Sequence, residues 1–222
     1  MYKRVKNGEK LSGIWEYLNH FNTASLQKCS GTTVEAFCDP KLIKQALENM
    51  SLFTIVTTVE TMQQSTASKK EQMNAVYALD IVKMAQLHIK TVTVGLGMSK
   101  MVEIKDEKLR GHVQNLMALL GLTYMQEYSS IGYESGYFQK GTTSLINQAI
   151  KVLLTRLRPQ LIPLVEMSPI TDNHLMSAIG NSYGDIYETH LEWAQTSRMN
   201  DNKGSIPVGW NDYIMPILHG KL

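Results

Sequence analysis

The tightest chemical motif in this 222-residue chain is Gly180-Asn181-Ser182-Tyr183-Gly184, a Gly-x-Ser-x-Gly pattern followed by Asp185 and His190. That is the chain order of a serine hydrolase of the nucleophile-elbow type. Such chemistry needs a buried strand ahead of the serine to strain its hydroxyl outward. The stretch from His174 to Ile179 reads as helix instead, and glycines at 180 and 184 are explained by a helix C-cap and a turn. Ser182 is therefore not expected to act as a nucleophile. The six histidines (His20, His88, His112, His174, His190 and His219) are scattered, and neither Glu-x-x-His nor His-Glu-x-x-His occurs. A di-iron centre in a helical bundle needs paired Glu-x-x-His, so no metal site is expected.

Other residue groups have equally plain explanations. Gly95-Leu96-Gly97-Met98-Ser99-Lys100 lacks the third glycine and the preceding strand of a dinucleotide fingerprint, and no phosphate-cradling loop of the Gly-x4-Gly-Lys-Ser/Thr type is present. Arg156 and Arg158 have the charge to grip a phosphate, but cations at that position also complement a helix C-terminus. Met50, Met62, Met73 and Met84 suit an adaptable acyl pocket, yet ordinary core or subunit packing accounts for them as well. On the residues alone, no self-contained catalytic site is expected.

The elements that position these residues read as helices throughout. Asp39 caps and Pro40 opens a first long helix, with Leu42, Ile43, Ala46, Leu47, Met50 and Phe53 at helical spacing to about Gln64. Ser68 and Glu71 form a capping box for a second, whose stripe of Met73, Val76, Tyr77, Ile81, Met84, Leu87 and Thr91 is expected to bend or stop at Gly95 and Gly97. Asp106-Glu107 opens a third, with Leu109, Val113, Leu116, Met117, Leu120 and Tyr124 on its inner side, widened by Leu119 and Leu122. Leu145, Ile146, Ala149, Val152, Leu153 and Leu157 sketch a fourth, ending before Arg158-Pro159. Shorter helices follow at about 160–167, 172–180 and 185–197. The fold class is all-α, a helical bundle of long helices.

Composition narrows the partners. Lys and Arg number 22 against 20 Asp and Glu, so the net charge of +2 supplies no field for nucleic acid. The most apolar run, Gly111 to Gln126, is too short for a membrane span and carries His112, Gln114 and Asn115. Two cysteines, Cys29 and Cys38, build no disulfide framework and fit a reducing compartment. No secretory signal is expected at the amino terminus.

Several stretches resemble one family, in order and at its spacing. Leu157-Arg158-Pro159, Leu164-Val165-Glu166, Leu175, Ser177-Ala178-Ile179-Gly180, Tyr183-Gly184-Asp185-Ile186-Tyr187-Glu188, Glu192-Trp193-Ala194 and Asn200 are similar to the terminal segment of peroxisomal acyl-CoA oxidases. Asn7-Gly8-Glu9-Lys10-Leu11-Ser12-Gly13 with Tyr17-Leu18 resembles the stretch after their catalytic core, and Glu35-Ala36-Phe37-Cys38-Asp39-Pro40 the start of their C-terminal helical domain. Residues 1–38 are thus expected to be a leading helix and loop continuing from a catalytic core, and 39–222 the C-terminal helical domain. Glu166 stands where an aspartate is usual, and Asp185 where an asparagine is common.

The resemblance implies an FAD enzyme that removes two hydrogens from a fatty acyl-CoA to give a trans-2-enoyl-CoA, with oxygen reoxidising the flavin to hydrogen peroxide. It also implies a homodimer and a peroxisomal location. The family's catalytic glutamate and main flavin and acyl-CoA contacts precede the region matching Met1, so no catalytic residue is expected here and cofactor-binding residues are unassigned. Glu16, Glu35, Glu60 and Glu188 sit at family positions that are not the base. Gly220-Lys221-Leu222 resembles the Ser-Lys-Leu peroxisomal address. The expected partner is the catalytic half of an oxidase or a second subunit. The rival readings are a free-standing non-catalytic helical paralogue and a fatty-acyl binding module.

Overall fold

The protein is described by a computed structural model covering residues 1–21, 27–181, 183–200, 206–207 and 209–220. It divides into two units, Met1–Gln160 and Leu161–Leu222. Among the described residues no strand occurs and no helix is long and apolar enough to cross a membrane.

The first unit begins with α1 (Tyr2–Lys6) and a 3-10 segment, Gly13–His20. The long helix α2 (Pro40–Gln64) starts where proline tolerates a missing amide partner, and the Asp39 carboxylate accepts from the Lys41 amide at 2.9 Å. Its buried residues serve two clusters. Ile43, Ala46, Leu47 and Met50 enter the main core, whereas Leu52 and Ile55 meet Tyr2, Val5, Leu11, Tyr17 and Leu18 in a smaller one.

The second expected helix is present in two pieces. Ser68 and Glu71 make the capping box, with the Glu71 carboxylate accepting from the Ser68 amide at 3.0 Å, and one turn, α3 (Lys69–Glu71), follows. A π-helical turn over Gln72–Val76 intervenes before α4 (Ala78–Met101). One wide turn displaces the apolar stripe, so Met73 and Val76 are exposed while Leu87, Thr91 and Val94 are buried. Gly95 and Gly97 do not stop α4. A Cβ on Gly97 would lie 2.2 Å from Met117 Cε, the flexible end of a side chain that fills the space the glycine leaves.

The same logic corrects the inner face of α5 (Glu107–Glu127), which Asp106 caps through the Leu109 amide at 2.9 Å. Leu109 and Leu116 are exposed, and Ala118, Gly121, Leu122 and Met125 are buried. Leu122 lies on the expected face, but helical spacing counts large apolar residues and passes over Ala118 and Gly121, where packing is close: a Cβ on Gly121 would sit 2.3 Å from Ile43 Cγ2. The short α6 (Ser129–Glu134) leads to α7 (Thr142–Leu157), which buries Ile146, Ala149, Leu153 and Leu157 and ends ahead of Pro159 as the spacing predicts. Helices α2, α4, α5 and α7 form the bundle, α2 meeting α4 and α5, and α7 meeting α5. Cys29 and Cys38 are free thiols, both buried beside the main core.

The second unit contains α8 (Leu161–Glu166), α9 (Asp172–Leu175), α10 (Ile186–Thr196) and α11 (Met215–Leu218), linked by 3-10 and π-helical turns. The helix expected at 172–180 is interrupted at Met176, whose φ of 46° lies in the left-handed region that a non-glycine residue seldom enters. Ala178 is the single fully buried side chain among its described residues.

Two glycines of α5 separate these effects. Gly121→Ala is expected to cost about 1–3 kcal/mol through overpacking against Ile43. Gly111→Ala, where an added Cβ meets nothing within 4 Å, is expected to stabilise by up to about 1 kcal/mol through helix propensity. Urea unfolding of both variants reads the contrast.

Candidate functional site

The polar side chains brought together most tightly belong to three separate elements. Tyr17, from the Gly13–His20 segment, places its hydroxyl 2.9 Å from Ser51 Oγ on α2 and 2.7 Å from His88 Nδ1 on α4. Trp15 stacks on the His88 ring, with centroids 4.0 Å apart and planes 9° from parallel. All three groups are satisfied if Tyr17 donates to His88 and accepts from Ser51.

Electrostatics make this chain of groups neutral. Burial pushes the Tyr17 phenol up to about 12, and burial lowers the His88 imidazole below its usual value. Ser51 is fully buried. A serine without solvent access, beside an imidazole bonded to a phenol instead of to the serine itself, has none of the geometry of an activated nucleophile. The cluster does a different job, pinning residues 13–20 to α2 and α4. Sequence reasoning treated His88 singly and missed it; a histidine and a serine 37 positions apart give no local signal.

Two clefts flank the cluster. An apolar one of about 320 Å³ runs between Trp15, Leu18, Ile55, Val59, Met84 and Ile89, with His88 at its edge. Of the four methionines proposed for an acyl pocket, Met84 alone lines it; Met50 belongs to the main core and Met73 is exposed. A mixed cleft of about 450 Å³ is lined by Glu16, Tyr17, His20, Lys44 and Glu48 together with Ile14, Val92 and Leu96. Burial raises the Glu48 carboxyl, and the Lys44 ammonium 3.5 Å away opposes that rise.

The remaining candidates are placed as follows. Ser182 lies outside the described residues. Ahead of it stands the 3-10 turn Ala178–Gly180 and not a strand; Asp185 accepts from Asn181 Nδ2, and the His190 ring meets Trp193 edge-on at 5.9 Å. Arg156 is held by the Glu35 carboxylate at 2.9 Å, which leaves it committed to an ion pair. Glu60 accepts from the Tyr2 hydroxyl at 2.9 Å. Among the described residues no cluster of His, Cys, Asp and Glu suits a metal ion. Gly220 is exposed with φ 63°, and Lys221 and Leu222 lie outside the described residues.

The residues of the Gly95–Lys100 stretch do not form a cradle for FAD, the cofactor the resemblance implies. Gly95 and Gly97 lie inside α4, where their amides serve the helix and not a pyrophosphate. The larger cleft presents Glu16 and Glu48 together with His20 and Lys44, and Lys44 is paired to Glu48 at 3.5 Å.

Comparison with known proteins is consistent along nearly the whole chain. A family model described as acyl-CoA oxidase matches residues 39–219. The peroxisomal acyl-coenzyme A oxidase 1 of Phascolarctos cinereus is 24% identical over 221 residues, covering 97% of this chain and 33% of that protein. The structure of Arabidopsis thaliana acyl-CoA oxidase 1 superposes with a TM-score of 0.83 at 20% identity, over 99% of this chain and 33% of that one. The structure of Caenorhabditis elegans acyl-CoA oxidase-2, bound with FAD, ascaroside-CoA and ATP, gives 0.76 at 19% identity, over 98% and 32%. The chain spans about a third of the length of the curated relatives it matches.

Removing the bridging hydroxyl tests the pin. Tyr17→Phe leaves Ser51 and His88 without a buried partner and is expected to cost about 1–3 kcal/mol in chemical denaturation. Because the folded state lowers the His88 value below its ordinary 6.5, the unfolded chain takes up the proton first. Stability is then expected to fall as pH drops below about 6.5 and through the lowered value. His88→Leu is expected to flatten that part of the profile.

Proposed function

The chain belongs to the acyl-CoA oxidase family, and from that we propose that it is the C-terminal helical module of a peroxisomal, FAD-dependent oxidase of fatty acyl-CoA. The carrying observation is the family match over residues 39–219 in a chain about a third as long as its relatives. In this reading residues 1–38 are a leading helix and loop continuing from a catalytic core and 39–222 the C-terminal helical domain. The parent reaction removes two hydrogens from an acyl-CoA to give a trans-2-enoyl-CoA, and oxygen takes the electrons from FAD to give hydrogen peroxide. FAD supplies the hydride acceptor when bound in the parent enzyme.

This chain's own residues are assigned packing and assembly. The α2–α4–α5–α7 bundle is a rigid support, and the Tyr17–His88 contact anchors the segment that leads out of the catalytic core. The chain by itself is assigned no catalytic residue. The parent is assigned a homodimer, and Gly220-Lys221-Leu222 a peroxisomal address.

A second reading, a fatty-acyl binding module, has one observation in its favour, the apolar cleft beside Trp15 and Met84. Retention of an acyl ligand by the purified chain in native mass spectrometry would support it.

An antibody against residues 200–222 tests the leading proposal in extracts of the cells that make the protein. The expected reactive species carries flavin and peroxide-forming acyl-CoA oxidase activity, either in one heavy polypeptide or in a complex containing this 25.0 kDa chain. The purified chain is expected to hold no flavin. A reactive species free of flavin and of oxidase activity would overturn the proposal. Deleting residues 220–222 is expected to move the full protein from peroxisomes to the cytosol, scored by microscopy.

A further inference from the structure

The apolar cleft beside Trp15 has a polar edge of one kind. Its walls include Leu18, Ile55, Val59, Met84 and Ile89, side chains that offer a ligand no strong hydrogen bond. The polar side chains among its lining residues are Tyr2, Trp15 and His88. The Tyr2 hydroxyl is committed, donating to the Glu60 carboxylate at 2.9 Å. The Trp15 indole N–H and the second ring nitrogen of His88 have no hydrogen-bond partner among the described residues.

Which proton that second nitrogen carries follows from the first. Tyr17 holds His88 Nδ1 at 2.7 Å and does not line this cleft, so the ring meets the cleft along its Nε2 side. Burial lowers the imidazole below its usual value, so it is neutral near pH 7. A neutral imidazole that accepts at Nδ1 carries its hydrogen on Nε2. The cleft is therefore edged by N–H donors on rings stacked 4.0 Å apart, and no carboxylate or amide side chain lines it. Such an edge on an aliphatic slot complements a molecule that is apolar along its body and bears an acceptor at one end. An ammonium head would set donor against donor.

We propose that this cleft binds an aliphatic chain headed by a carbonyl group, carboxylate or ester, whose oxygen accepts from His88 Nε2, with the Trp15 N–H on the same edge. Tyr17 is a positioning residue here: by donating to Nδ1 it keeps the hydrogen on Nε2. The proposal deepens the fatty-acyl reading of the cleft and rests on it.

The test uses the complete chain with nitrogen-15 in its histidines, titrated near neutral pH with decanoate and, separately, with methyl decanoate. Long-range proton–nitrogen spectra are expected to show His88 as the Nε2–H tautomer, with its Nε2 resonance moving as ligand saturates. His88→Phe keeps an aromatic ring against Trp15 and removes the donor, and is expected to weaken binding about tenfold. His88→Gln, whose amide nitrogen stands near the Nε2 position, is expected to restore much of that loss. Ala85→Trp, which fills the cleft from an exposed lining position, is expected to abolish binding while far-ultraviolet circular dichroism stays unchanged, so the result does not depend on how His88 variants fold. Binding of decanoate alone identifies a carboxylate head, and binding of both ligands a carbonyl of either kind. An Nδ1–H tautomer, or binding that leaves the Nε2 resonance unmoved and survives His88→Phe, overturns the head contact while the acyl reading of the cleft stands. If neither ligand binds, or Ala85→Trp binds as well as the parent chain, that reading fails too.

Discussion

The separation of α2 from α5 is set by a side chain that is missing. Gly121 faces Ile43 at a distance where a single Cβ would overlap a methyl group, and Gly97 leaves the corresponding space for Met117 between α4 and α5. Because interiors are packed as densely as crystals, the gap at Gly121 limits where the large residues beside Ile43 can go. Leu87, Val94, Leu122 and Met125 can then fill one core with Ile43, Leu47 and Met50. The position of α4 beside α2 in turn brings His88 within reach of Tyr17, and the amino-terminal segment has somewhere to attach.

Much of this bundle was legible. Capping groups are local, so Asp39, the Ser68–Glu71 box and Asp106 marked helix starts that the structure keeps. Pro159 marked the end of α7 just as clearly. The inner faces were harder to read. On α5 the expected face held in part, with Leu122 buried and Leu119 and Tyr124 packed on the core, while Leu109 and Leu116 are exposed and the small Ala118 and Gly121 are buried, because spacing arguments weight hydrophobic size and a close helix contact at Gly121 rewards its absence. On α4 a π-helical turn, which leaves no mark in an apolar pattern, turned Met73 and Val76 outward.

The polar cluster was illegible for a different reason. Tyr17, Ser51 and His88 lie on elements whose juxtaposition is a tertiary fact, and each alone has an ordinary explanation. What was legible functionally came from the order of short motifs between Leu157 and Asn200, and the family match over 39–219 agrees with it. The first unit buries two apolar clusters and leaves Leu79 and Val102 largely exposed, and the second leaves Tyr183, Tyr187 and Met199 almost wholly exposed.

The two cysteines give the first unit a built-in clock. Cys29 lies under Tyr137, whose carbonyl accepts from the Cys29 amide at 2.9 Å, and Cys38 precedes α2; both thiols are buried, and burial raises both above the usual cysteine range. A thiol that is both covered and protonated reacts with alkylating reagents only when the structure over it opens. The rate at which native thiols are consumed therefore reports the breathing of the bundle next to α2 and α7, with no label to introduce and no residue to change.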